Sequence, residues 1–367
     1  MIKFLVLIVL SLIIVVFIIR LFFKLSPQIG AGNKITPPIN HVSLPYYKDK
    51  KFNNSWPTRL SPIKLNLLFK FLFSKGSRYP QKPLPNIEFS NNPYKAIDKK
   101  PLFTWFGHSS ILLRLNEQNI LIDPVFSNRA SMFPFMGPKA FAMQHAFELE
   151  ALPRIDILLL SHDHYDHLDY EVIKKIAPKA TQIITTYGVG QHLLSWGIKA
   201  DKITELLWWQ DYTIKGIKFT SLPMQHFSGR GLRDRYATLW GGFAIKTNGY
   251  NLFFNADSGY NDTFKEIGQK LGPFDLAFME CGQYNEAWHD IHMMPEETAQ
   301  AAVDIQAKLA IPIHWGKFAL SLHPWQEPVQ RFVKASKNKD YHLGFPQIGA
   351  TYSIDKIPDK LWWANRS

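Results

Sequence analysis

The chain has 367 residues, 46 % hydrophobic and 14 % aromatic, which excludes a disordered protein and leaves room for one large core or two smaller ones. Its formal charge of +12 comes from Lys and Arg scattered along the sequence, with no basic stripe; this argues against nucleic acid as a partner and fits a body held against an anionic membrane. The single cysteine, Cys281, excludes an internal disulfide framework and a thiolate metal site, so any metal must be held by His, Asp or Glu.

Residues 1–24 read as a separate transmembrane anchor. Phe4 to Ile19 is apolar except for Ser11, and Leu21 to Phe23 continue it past Arg20. About 20 helical residues at ~1.5 Å each cross the ~30 Å hydrocarbon core of a bilayer. A cleavable signal peptide is the rival reading, but its apolar region would be shorter, and only Ile29-Gly30-Ala31-Gly32 offers a weak cleavage site. Lys3 precedes the span, whereas Arg20, Lys24 and Lys34 follow it; this bias places the body on the cytoplasmic side, at a bacterial inner membrane. Residues 25–100, rich in Pro, Asn and Lys, read as a linker that becomes an irregular N-terminal extension wrapping the main body. Within it, Leu60 to Phe73 predicts a short amphipathic helix with Leu65, Leu68, Phe69 and Leu72 on one side.

From residue 101 to 367 the texture is that of a folded domain. Leu102–Phe106, Ser110–Leu115 and Asn119–Ile122 predict successive strands, followed by another at Asp156–Leu160 and a helix from Tyr170 to Ile176 capped by Asp169. Further strands are expected at Gln182–Thr185, Lys218–Leu222, Gly242–Lys246, Leu252–Asn255, Asp275–Glu280 and Ala310–Ile313. Helices are expected near Val189–Trp196, Thr263–Leu271, from Pro295, and at Val329–Lys334. Strands first, then strands alternating with helices in two halves, suggest two packed sheets with helices outside.

The polar loop after Asp156–Leu160 carries the chemistry. It reads Ser161-His162-Asp163-His164-Tyr165-Asp166-His167-Leu168-Asp169, and its six positions from His162 to His167 hold three imidazoles and two carboxylates as His-x-His-x-Asp-His. On such a loop His162 and His164 can point one way while Asp166 and His167 turn toward a neighbouring point, which suits two adjacent ions. Imidazole with carboxylate favours zinc or a similar divalent ion. Asp163 is expected to be solvated. Three further candidates lie just beyond apolar strands: His226 in Pro223-Met224-Gln225-His226, Asp257 before Ser258-Gly259, and His314 before Trp315-Gly316. Taken singly each is an ordinary capping residue; their shared position makes them candidate ligands.

His-x-His-x-Asp-His with a later His, Asp and His resembles the metallo-β-lactamase superfamily, which implies a four-layer αββα sandwich with a dinuclear metal centre. Trp105-Phe106-Gly107-His108-Ser109-Ser110, Ile122-Asp123-Pro124-Val125, Met136-Gly137-Pro138-Lys139, Asp257-Ser258-Gly259-Tyr260 and Ile313-His314-Trp315-Gly316-Lys317 narrow this. Together they resemble the N-acylphosphatidylethanolamine-hydrolysing phospholipase D family. The resemblance implies one zinc held by His162, His164 and His226, a second by Asp166, His167 and His314, and Asp257 bridging both. It also places His292 near the reacting phosphate.

The implied activity is that of a zinc-dependent phosphodiesterase acting on phospholipid, with hydroxide attacking phosphorus in line with the departing alkoxide. Asp257 and Asp166 would then be catalytic as well as ligating. His292 would protonate the alkoxide, hold the phosphate, or serve only structurally beside a helix start. Asp123 is a plausible orienter for a ligand histidine. Phe133, Phe135, Phe141, Trp208, Trp209, Phe227 and Trp288 are candidates for lining an acyl groove, although most such residues are core. The alternative chemistry is hydrolysis of a lactone or other carboxyl ester by the same centre; a non-catalytic lipid-binding protein is a third class. Oligomeric state is not legible.

Overall fold

Strands that are apolar on every residue, such as Ile157–Leu160, need cover on both faces, and that requirement builds the fold. The computed structural model describes residues 2–36, 44–59, 69–71, 76–95 and 101–364. Its first part holds α1 (Ile2–Leu25), a small hairpin of β1 (Tyr47–Lys48) and β2 (Lys51–Phe52), and the one-turn α2 (Asn92–Lys95). Next come β3 (Leu102–Trp105), β4 (Ile111–Leu115), β5 (Gln118–Ile122), β6 (Ile157–Leu160), α3 (Tyr170–Ile176), β7 (Gln182–Thr186), α4 (Val189–Ser195) and β8 (Ile203–Leu206). The second half contains β9 (Asp211–Ile214), β10 (Ile217–Leu222), β11 (Gly242–Lys246), β12 (Asn251–Phe254), α5 (Thr263–Leu271) and β13 (Leu276–Glu280). It ends with α6 (Pro295–Asp304), β14 (Leu309–Ile313), α7 (Glu327–Ala335), β15 (His342–Leu343) and β16 (Thr351–Ser353).

These strands form two seven-stranded sheets, ordered β16-β3-β4-β5-β6-β7-β8 and β15-β14-β13-β12-β11-β10-β9. Each sheet pairs antiparallel through its earlier strands in the chain and parallel thereafter, from β5 to β8 and from β12 to β15, except that the last strand, β16, returns antiparallel to β3. Side-chain alternation sorts the layers. Ile111, Leu113, Ile157 and Leu159 face the second sheet, where Phe243, Phe254, Phe278 and Ile311 meet them. Leu112, Leu121, Leu158 and Leu160 turn the other way, onto Val172 and Ile173 of α3 and Leu193 of α4. Phe253 and Ala277 likewise cover the outer face of the second sheet with Ile267 of α5 and Ala302 of α6. The layers are therefore αββα, the architecture the resemblance implied.

In the two seven-stranded sheets, the four strands that the apolar pattern did not reveal, β8, β9, β15 and β16, are the four sheet edges; the β1–β2 hairpin, in the N-terminal extension, was not expected either. An edge strand is paired on one side only and needs fewer apolar residues, as in Asp211-Tyr212-Thr213-Ile214. The chain after α1 is bonded to the body. Trp196 Nε1 donates to Pro27 O at 2.7 Å and Arg230 Nε to Gln28 O at 2.7 Å. Of the amphipathic helix expected over Leu60 to Phe73, residues 69–71 are helical with Phe69 exposed, and the rest lies outside the described residues.

Candidate metal centre

Strand β6 delivers the histidine loop, and Asp123, at the end of β5, holds it. Asp123 is fully buried and accepts from Ser161 N at 2.8 Å, Ser161 Oγ at 2.5 Å and His167 Nδ1 at 2.8 Å. Asp169 anchors the far end of the loop, capping α3 and accepting from Phe126 N and Ser127 N. The remaining candidates arrive from turns beyond β10, β12 and β14. His314, Asp123 and His108, on the turn between β3 and β4, sit at positive φ (66°, 38° and 52°), a costly geometry for a residue with a side chain and one concentrated at functional sites.

Outward hydrogen bonds set the tautomers. His167 Nδ1 is given to Asp123, and His226 Nδ1 donates to Ile291 O at 3.0 Å. Ser161 Oγ spends its proton on Asp123, so His162 Nδ1 donates to it at 2.9 Å. In His162 and His226 Nε2 is then left with a lone pair turned inward, and in His167 Nε2 is the nitrogen that faces the centre. His162 Nε2 and His226 Nε2 lie 3.0 and 3.1 Å from His164 Nδ1, so three ring nitrogens converge, and the one proton that neutral His164 could place on Nδ1 can serve only one of the other two. His164 Nε2, His167 Nε2, His314 Nε2 and Asp257 Oδ1 are buried and make no hydrogen bond. The donor set therefore fits a divalent cation.

Asp257 lies between two groups. Its Oδ2 is 3.8 Å from His162 Nε2 and 3.7 Å from His226 Nε2, while Oδ1 is 3.2 Å from His167 Nε2 and 3.1 Å from His314 Nδ1. His162, His164, His226 and Asp257 can present ligand atoms within 4.8 Å of one another, and so can His108, Asp166, His167 and His314. Burial, the largest influence on Asp257, would raise its pKa, yet the charge of His167 outweighs it and holds the carboxylate well below its usual range. Burial keeps His162, His226 and His314 well below the usual imidazole value, in the neutral form that binds metals. For His167 burial is opposed and overcome by Asp257 and Asp166, which raise it. The pocket as a whole attracts positive charge.

The structure thus brings together all seven candidate ligands, His162, His164, Asp166, His167, His226, Asp257 and His314, with His292 beside them: its ring is stacked 5.4 Å from that of His314. Two residues escaped the sequence reading in their roles. His108 is fully buried, bonds Asp166 Oδ2 at 2.8 Å through Nε2, and lies 4.0 Å from the His314 ring. Glu280, at the end of β13 and fully buried, accepts from His292 Nδ1 at 2.6 Å. Burial raises Glu280 to about 8; burial would lower His292, but the charge and hydrogen bond of Glu280 outweigh it and raise it.

The expectation that Asp163 is solvated is wrong. It is fully buried, accepts from Gly229 N and Thr238 Oγ1 at 2.8 Å each, and faces His192 Nε2 at 3.2 Å. A loop residue normally turns to water, but α4 and the chain after His226 close over this one. Among the proposed groove aromatics, Phe141 and Trp208 are core residues. Phe227 does face the centre, its ring 4.4 Å from that of His164.

Comparison with known proteins gives the family. The model of a β-lactamase superfamily domain matches residues 118–315. An uncharacterized protein of Mycobacterium tuberculosis is 36 % identical over 330 residues, covering 87 % of this chain and 87 % of that one. An N-acyl-phosphatidylethanolamine-hydrolyzing phospholipase D of Caenorhabditis elegans is 37 % identical over 229 residues, 59 % of this chain and 64 % of the relative. A metallo hydrolase from the archaeon Ignicoccus hospitalis superposes with a TM-score of 0.52 at 18 % identity, over 69 % of this chain and 97 % of the other, a likeness of fold. The chain belongs to the metallo-β-lactamase superfamily of metal-dependent hydrolases, within the family that resembles N-acylphosphatidylethanolamine-hydrolysing phospholipase D.

Proposed function

We propose that this hydrolase is a membrane-anchored dinuclear zinc phosphodiesterase of phospholipase D type. Its substrates would be N-acylphosphatidylethanolamine-like phospholipids, cleaved to N-acylethanolamine and phosphatidic acid. The observation that carries the reading is Asp257, whose two oxygens face separate ligand groups, as a bridging carboxylate requires. The relative from Caenorhabditis elegans, named for that reaction, supports the substrate class.

On this reading His162, His164 and His226 hold one ion, Asp166, His167 and His314 the other, and Asp257 both. Two ions bound there would supply Lewis-acid activation of water and neutralise charge on the phosphate. The chain's own part is positional. His108 fixes the rotamer of Asp166, Asp123 fixes the tautomer of His167, and Phe227 covers the His164 edge against bulk water. His292, with Nδ1 committed to Glu280, offers Nε2 to the phosphate or to the leaving alkoxide, where it can hold or deliver a proton. Helix α1 is the anchor, its span Phe4–Phe23 having a mean hydropathy of 3.3. The body would lie on the cytoplasmic side of a bacterial inner membrane, with phospholipid and bilayer as its partners.

The test is to incubate the purified, zinc-loaded full chain with N-acylphosphatidylethanolamine in detergent micelles and follow both products by mass spectrometry. Release of N-acylethanolamine and phosphatidic acid, lost in Asp257→Asn and on chelation, is the expected result. Hydrolysis of lactones with none of phosphodiesters would contradict the substrate assignment and establish carboxyl-ester chemistry instead.

A further inference from the structure

Between β5 and β6 the chain makes an excursion that the catalytic centre does not explain. Ala130 N donates to Pro138 O at 3.1 Å and Ala140 N to Asn128 O at 2.9 Å, with Arg129 bridged antiparallel to Lys139. Arg129 Nη1 also grips Gly137 O at 2.6 Å. The result is a braced hairpin whose tip is Met132-Phe133-Pro134-Phe135-Met136, five apolar residues in succession. Phe135 is 71 % exposed and Met136 53 %. A braced, outward-pointing apolar tip of this kind is expensive in water and calls for a covering surface.

What covers it is indicated by its neighbour. Phe133 stacks on Phe22 near the end of α1, with ring centroids 4.6 Å apart and planes inclined by 22°. The tip therefore stands at the level where the span ends. A second projection stands on the same rim. Asp234 accepts from Arg230 N and Gly231 N, folding a tight loop that leaves Leu232 74 % exposed at its apex. Gln28, Ser131, Pro134, Tyr165 and Arg230 line one cleft of about 340 Å³, which joins the hairpin, the chain leaving α1, the second loop and the histidine loop. Lys139, Arg233 and Arg235 are exposed around the two apolar tips, where basic side chains would meet anionic headgroups.

We propose that Phe135, Met136 and Leu232 form a shallow bilayer-docking surface that holds the rim of the catalytic centre at the headgroup level, continuous with the end of α1. The inference rests on the reading of α1 as a membrane anchor and names the surface by which the tethered body is oriented. The second loop leaves the chain three residues after His226, and Tyr165 of the histidine loop donates to Arg230 O at 2.6 Å, so docking would present the centre to lipid still in the membrane. This geometry matches that of an interfacial segment with apolar residues inserted and basic residues beside them.

Because Cys281 is fully buried, introduced cysteines can be labelled selectively. The full chain carrying Phe135→Cys, Leu232→Cys, Ile8→Cys or Asn248→Cys is labelled with an environment-sensitive fluorophore and reconstituted into vesicles containing phosphatidylglycerol and spin-labelled lipid. The expected result is quenching and a blue shift at 135 and 232, strongest with spin labels near the headgroup, deep quenching at 8 and none at 248. Deep quenching at 8 with labels at 135 and 232 still open to aqueous iodide would overturn the docking and leave the anchor intact. Protection from iodide at 135 without lipid quenching would mean protein cover and would also overturn it. Absence of lipid quenching at every position would overturn anchor and docking together.

Discussion

Glu280 Oε1 lies 2.6 Å from His292 Nδ1, and this buried pair decides which nitrogen of His292 is available to substrate. Removal of the carboxylate in Glu280→Ala frees the ring to rotate and leaves its Nδ1 without a partner. If His292 handles a proton or the phosphate, kcat for the phospholipid should fall by about 10²–10⁴. Zinc content should stay unchanged, since Glu280 belongs to neither ligand group. Steady-state kinetics beside metal analysis check both; unaltered kcat would leave His292 a structural role only.

Asp123 is expected to matter through metal retention. Asp123→Asn offers an amide where His167 Nδ1 and Ser161 need an acceptor, so the His167 tautomer is no longer fixed. Zinc affinity should drop roughly 10- to 100-fold, the usual cost of losing such an outer partner. Competition against a chromophoric chelator measures it, with the circular dichroism spectrum confirming an intact fold.

Lys317 gives a pH signature of stability. It is 5 % exposed, donates to Phe106 O and Val125 O, and burial pushes its ammonium down to about 8 from 10.5. Between those values the unfolded chain holds a proton that the folded chain has released. Stability should therefore rise as pH increases from about 8 to 10.5, by at most roughly 3 kcal/mol, and level off outside that window. Lys317→Met should remove this slope. Urea unfolding of both proteins in detergent at a series of pH values is the check, and parallel pH profiles would contradict it.

What the sequence disclosed follows a physical pattern. The candidate set was legible because polar residues immediately after apolar strands stand out, as His226, Asp257 and His314 do, and because His162 to His167 are spaced tightly. Internal strands were legible for the same reason, whereas β8, β9, β15 and β16 were not, since an edge tolerates polar residues. Glu280 looks like the end of a strand, and only the fold brings His292 to it. Asp163 was misread because its cover, His192 and Thr238, comes from elements remote in the chain. His108 lay inside a quoted motif, but its bond to Asp166 depends on how β3 and β4 meet the histidine loop.

The central claim is that seven side chains close around a pair of ions, and anomalous diffraction at the zinc edge from crystals of the zinc-loaded chain tests it most directly. Two peaks about 3.5–4 Å apart are expected, one among His162, His164 and His226, the other among Asp166, His167 and His314, with Asp257 between them. A single peak, or Asp257 turned away from either group, would contradict the account.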